Sequence, residues 1–257
     1  MASDRAFFGI SALLFATSAA LTVHACASMG GGMPMPGGWT MSMAWMRMPG
    51  QTWPAAAASF LGMWIVMMVA MMLPSLVPML LRYRQAMGSL AGTRLGRRTL
   101  LVGAGYFFVW TLFGLAAFPL GIALAAIEMQ NLALSRSVPL AVGVVILLAG
   151  AFQLTAWKAG HLTCCREAPG PGRMLPADAG TAWRHGLHLG LFCAGCCGNL
   201  MVILLVLGIM DLRAMAAVTA AITVERLSPA GERVARALGA FVVGAGLLLI
   251  ARAVGLG

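Results

Sequence analysis

The stretch Gly186–Ile209, GLHLGLFCAGCCGNLMVILLVLGI, decides the fold. It holds no Asp, Glu, Lys or Arg. As a helix it reaches about 36 Å, enough to cross a hydrocarbon core about 30 Å thick. Near its middle sits Cys193-Ala194-Gly195-Cys196-Cys197. On a helix Cys193 lies three and four residues from Cys196 and Cys197, so the three sulfurs share one broad face. Met201 continues the Cys193–Cys197 stripe one turn on. Thiolate and thioether are soft ligands that select Cu(I), Zn or iron–sulfur over hard cations. The competing reading is plain packing, because cysteine is a small hydrophobe that fits between helices.

The rest of the chain has the same apolar character. Its 257 residues are 61% hydrophobic and 9% charged, with a mean hydropathy of +0.91. Soluble domains carry about 25% charged residues, so a soluble enzyme is excluded. Seven apolar segments follow one another, at 7–25, 56–81, 100–125, 139–157, 186–209, 212–224 and 234–254. They predict an all-α fold, a polytopic transmembrane helical bundle forming one integral membrane domain over 1–257. Segment 212–224 is too short to span upright and reads as tilted, interfacial or reentrant. The first segment follows Arg5 in the manner of a signal peptide, but its length favours a retained helix.

The net charge of +10 comes from basic residues scattered between apolar runs, and all but Lys158 are arginines. That distribution belongs to loops which orient a chain in a lipid bilayer, and it excludes nucleic acid as a partner. With the N-terminus inside, thirteen basic residues fall on the cytoplasmic side. The outside receives four: Arg47, Arg136, Arg213 and Arg252. The expected setting is a bacterial inner membrane crossed several times, with stretch 26–55 as an external loop and 158–185 as a cytoplasmic one. Five of the six cysteines then lie in membrane or cytosol, where disulfides are disfavoured, and Cys26 alone faces an oxidising side.

Soft donors recur at three further places. The external stretch carries Met29, Met33, Met35, Met41, Met43, Met46 and Met48 beside His24 and Cys26, with Trp39, Trp45 and Trp53 among them. It reads as a Cu(I)-collecting surface or as a loop lying in the interface. In the second segment Met67 and Met71, and Met68 and Met72, stand one turn apart, before Pro74 and Pro78. Counted by helical rise, these methionines reach a depth that overlaps that of Cys193–Cys197, so the two sets can face one site. The cytoplasmic stretch offers His161, Cys164 and Cys165 as accessory ligands around a Pro169–Gly172 turn, and His188 opens the helix of the cysteine run. The Glu225-Arg226 pair reads as an ordinary snorkelling helix end. No carboxylate lies deep in a segment, and no catalytic nucleophile–base pair or hydrolase motif occurs.

Several of these elements resemble the bacterial family described as predicted metal-binding integral membrane proteins (domain of unknown function 2182). They are Gly37-Gly38-Trp39, Pro49-Gly50-Gln51-Thr52-Trp53, the Met67-to-Pro74 run, Lys158 with Cys165-Arg166, Gly190 through Met201, Gly208 with Met210, and Glu225. The resemblance covers most of residues 35–230. Two departures stand out. His161 and Cys165 occupy the place of a C-x-x-x-C pair, and Gly198 that of a tryptophan after the double cysteine. Histidine can replace cysteine as a ligand to zinc or copper.

The leading expectation is a membrane protein that binds copper as Cu(I), with zinc as the alternative metal, and acts in metal transfer or transport. Its metal ligands would be Cys193, Cys196, Cys197, Met201, Met67, Met68, Met71 and Met72. A metal-delivery protein or a membrane complex would be its partner. Two other readings are a thiol redox subunit and a structural component with no ligand of its own.

Overall fold

A computed structural model of the chain describes residues 2–28, 32–87, 92–167 and 178–255. Met29, Arg173 and the Pro169–Gly172 turn lie outside the described residues. Eight α-helices and one small hairpin make up the described fold: α1 (Ala2–Ser28), β1 (Met33–Met35), β2 (Trp39–Met41), α2 (Trp53–Ala86), α3 (Gly92–Gln130), α4 (Leu132–Gln153), α5 (Ala156–Glu167), α6 (Ala179–Leu207), α7 (Leu212–Leu227) and α8 (Gly231–Ala253). Six of them, α1, α2, α3, α4, α6 and α8, are long and apolar enough to cross a membrane. The chain is an all-α polytopic helical bundle.

Helices α2 and α6 form its interior, each with 56% of its most apolar window buried. The other four spans expose large apolar side chains such as Phe8, Leu13, Leu120, Leu148 and Phe241. That is the pattern of a surface facing lipid rather than water. α6 packs against α3, α4, α5 and α7, whereas α2 packs against α1, α3 and α7. Small residues set the closest approaches, as between membrane helices generally. A Cβ added at Gly105 of α3 would stand 2.8 Å from the Trp183 carbonyl of α6. α4 and α8 run antiparallel, with Gly143 against Ile250 and Gly150 against Val243.

Two segments differ from the sequence reading. The fourth apolar run ends at Gln153 instead of continuing to 157, because the Thr155 hydroxyl accepts the Lys158 N–H at 3.3 Å and starts a separate helix, α5. The stretch expected as a loop from 158 is therefore helical to Glu167, folded against α6. Helix α6 starts at an Asp178 cap whose carboxylate accepts the Thr181 N–H at 2.8 Å. That backbone bond holds the Asp178 pKa below the ordinary carboxylate value. Segment 212–224 becomes the 16-residue α7, about 24 Å long and so short of a full span.

The two ends of the bundle differ. At one, the β1–β2 hairpin docks on the start of α4, Trp39 Nε1 donating to the Ser135 carbonyl at 2.9 Å. Gly37 and Gly38 make its turn with φ of 106° and 77°, which glycine alone tolerates readily. At the other end Arg84 of α2 meets Asp4 of α1 at 3.3 Å.

Candidate metal centre

Cys193, Cys196 and Cys197 of α6 turn inward together, as their spacing requires, and all three are buried. Cys193 Sγ lies 3.4 Å from Cys197 Sγ, and Cys196 Sγ lies 3.4 Å from Cys197 Sγ. A fourth thiol comes from α5, where Cys165 Sγ stands 3.4 Å from Cys196 Sγ. All six cysteines of the chain are free. Among the described residues no group of three or more His, Cys, Asp or Glu is spaced as a ready-made metal cage; the thiols touch one another instead. Thiolates about 2.3 Å from a tetrahedral metal stand about 3.8 Å apart. Each of the three sulfur pairs in contact would thus have to part by only a few tenths of an ångström to flank one metal.

The surroundings of the thiols are polar, charged and buried, which the sequence reading missed. Tyr106 of α3 brings its hydroxyl to 2.8 Å from Cys193 Sγ. Arg226 of α7 donates to Cys193 Sγ at 3.3 Å, to Ser75 Oγ at 2.9 Å and to Met79 Sδ at 3.4 Å, both of the latter on α2. Arg226 is only 4% exposed, and among the described residues no carboxylate stands within salt-bridge distance of it. Below it lies a second layer. Lys158 donates to the Cys196 carbonyl and, at 2.9 Å, to Glu225 Oε2. Gln153 donates to the other oxygen of Glu225, and Asn199 donates to Gln153 Oε1 at 2.5 Å.

The Glu225-Arg226 pair is therefore no snorkelling end. Glu225 is 2% exposed and Lys158 fully buried. The acid lies inside the bundle because α7 stops short of a full span and delivers its last turn to the interior. The visible signal was a pair of unlike charges ending a segment too short to cross, together with the chain's lone lysine.

The other candidate ligands divide by position. Met67, Met68, Met71, Met72 and Met201 are buried in the same core as the thiols. The thioether that shares a direct polar partner with the thiols, however, is Met79, through Arg226. His161 stacks on Trp157 at 3.7 Å between ring centroids and lies against Gly195, beside the cluster. Cys164 and His188 are exposed and stand apart from it. Met33, Met35, Met43 and Met46 are half-buried around the hairpin, Met41 is buried and Met48 is exposed.

No curated protein and no solved structure matches the chain. A family model described as copper chaperone, PpoB2, matches residues 61–249. That span runs from α2 to α8 and takes in every thiol of the cluster, Tyr106, Lys158, Glu225 and Arg226. The chain belongs to the PpoB2 copper chaperone family.

Proposed function

We propose that this protein holds Cu(I) at the Cys165–Cys193–Cys196–Cys197 cluster inside a bacterial inner membrane and passes it to a partner protein or across the bilayer. The observation that supports this reading is Arg226, a buried guanidinium that donates to Cys193 Sγ and makes no salt bridge among the described residues. A buried charge left without a partner is costly. Within the two buried layers, Arg226 and Lys158 bring two positive charges and Glu225 one negative. Cysteines give up protons when they bind a metal. A Cu(I) ion with two thiolates carries one net negative charge, which balances the remaining positive one.

Soft sulfur donors favour Cu(I) over harder divalent ions. Zinc would take the same four thiolates but would leave two negative charges against one positive. Met67, Met68, Met71, Met72 and Met201 supply further soft sulfur along the approach to the cluster. His161, Cys164 and His188 lie towards the end assigned here to the cytoplasm, as residues of release. The methionines of the hairpin region collect the ion on the outer side.

Copper titration of the detergent-solubilised protein, kept anaerobic and reduced, tests this. Replacing the four clustered cysteines by serine should remove the tightest-bound Cu(I). Arg226→Leu, which spares every thiol, should weaken that site roughly tenfold or more, since a hydrogen bond to a charged group contributes about 1.5–3 kcal/mol. Unchanged tight binding in the folded serine variant would overturn the assignment.

A further inference from the structure

Beside the hairpin, at the end of the bundle opposite the Arg84–Asp4 pair, a cleft of about 320 Å³ opens between four elements. Five thioethers line it, and they come from widely separated parts of the chain. Met43, Met46 and Met48 belong to the segment after β2, Met63 to α2, and Met210 to the turn between α6 and α7. A thiol stands directly behind them: Cys26 of α1 is buried and donates to Met210 Sδ at 3.7 Å. The floor is aromatic, with Phe60 against Phe118 at 4.9 Å and against Trp45 at 5.4 Å between centroids. The lining cation, Arg47, is drawn aside over the Trp53 ring at 5.0 Å.

Hydrophobic packing explains buried methionine well. It does not explain five thioethers gathered around open space. A thioether is neutral at every pH, offers no hydrogen to donate, and is a weak ligand for hard ions. A site made of thioethers therefore discriminates by softness alone. It takes a monovalent d10 cation and leaves Zn²⁺, Mg²⁺ and Ca²⁺ to water.

The cleft also leads inward. Met63, Met67, Met71, Ser75 and Met79 follow one another at steps of four residues along α2, each step about 6 Å along the axis. Met67, Met71, Ser75 and Met79 are all buried. The first member of this series lines the cleft, and the last two are the residues that Arg226 ties to Cys193.

The geometry points to a second, separate binding site: a Cu(I) loading site in the cleft, built from Met46, Met63 and Met210 with Cys26 behind Met210, from which Met63 hands the ion to Met67. The assignment rests on the reading of the chain as a Cu(I) handler, but it concerns different ligands and is measured separately.

Ag(I), a redox-inert monovalent d10 ion, is the probe, and methionine oxidation is the readout. The full-length protein in detergent, with the four clustered cysteines replaced by serine, is exposed to dilute peroxide with and without Ag(I). Sulfoxide is then quantified at each methionine by mass spectrometry. Ag(I) should lower oxidation of Met63 and Met210 at least fivefold and leave Met129, half-exposed on α3 and not a lining residue of the cleft, unchanged. Zn²⁺ at the same concentration should protect neither. In a Met210→Leu variant, which keeps bulk and loses the sulfur, protection of Met63 should fall towards the metal-free level. Equal protection of Met129, absent protection of Met63 and Met210, or Met63 protection undiminished in Met210→Leu would each overturn the site. None of these results depends on the thiol cluster, whose failure would appear in the copper titration instead.

Discussion

Arg226 and Glu225 are adjacent in sequence and do opposite work. Arg226 points to the thiols, whereas Glu225 accepts from Lys158 and Gln153 one layer below. Breaking a fully buried ion pair from one side strands the other charge, at a cost of about 3–5 kcal/mol, while replacing both members by apolar groups is often neutral. Glu225→Gln should therefore lower the thermal midpoint of the protein in detergent sharply. Lys158→Met combined with Glu225→Leu should recover most of the loss. A double variant as unstable as the single one would mean that the pair holds the fold through Cys196 and Gln153 rather than through its own charge balance. At this scale the cysteines were legible because their helical spacing fixes them on one face whatever the neighbours. Cys165 was legible only as an accessory ligand, since its approach to Cys196 depends on how α5 folds back. Tyr106, Ser75 and Met79 carried no local signal at all. Each is an ordinary apolar or small residue of a span until the packing brings it to Arg226 or Cys193.

Among the elements, the contact between α3 and α6 positions the phenol at the thiols. A Cβ at Gly190 of α6 would fall 2.9 Å from Val109 Cβ and 3.0 Å from the Tyr106 carbonyl. Neither atom is the free end of a flexible chain, so a larger residue must push α3 away. Gly190→Val should cost about 1–3 kcal/mol, as overpacking does in cores, and should weaken Cu(I) binding by drawing Tyr106 off Cys193. Gly244→Ala on α8, with no atom within 4 Å of the added methyl, is the control: it should leave binding unchanged and melting unchanged or slightly raised, since alanine favours a helix over glycine. Equal effects at the two positions would show that glycine content, and not the α3–α6 approach, governs stability. Element existence was readable from apolar run length alone, which is why the six spans are where hydropathy puts them. Element ends were less so. Hydropathy is blind to the break at Thr155, a capping event inside a continuous apolar run, and so α5 was hidden in the tail of the fourth segment.

For the molecule as a whole, orientation in the bilayer is governed by which end carries the basic loops. The bundle sorts its ends by geometry: the hairpin, the Met210 turn and the close of α8 share one, while Asp4, Arg84 and the start of α6 share the other. Basic residues sort with them. With the buried Arg84, Arg226 and Lys158 removed and Arg173, outside the described residues, left aside, the thirteen assigned to the inner side still leave nine against four. Loop charge of that asymmetry orients membrane proteins with the richer side in the cytoplasm. The asymmetry supports the proposal of a cytoplasmic N-terminus, with the hairpin, the methionine cleft and Val254 external. Since α7 runs from the hairpin end to the interior and α8 returns, the start of α1 and the end of α8 lie at opposite ends of the bundle. Reporter fusions before Asp4, at Gly37 and after Val254 should therefore read inside, outside and outside. The same side for Asp4 and Val254 would mean that α7 and α8 do not form a return pair. Gly37 and Val254 both inside would invert the bundle. Copper loaded at the cleft would then come from the cytoplasm, and the direction of transfer would be reversed.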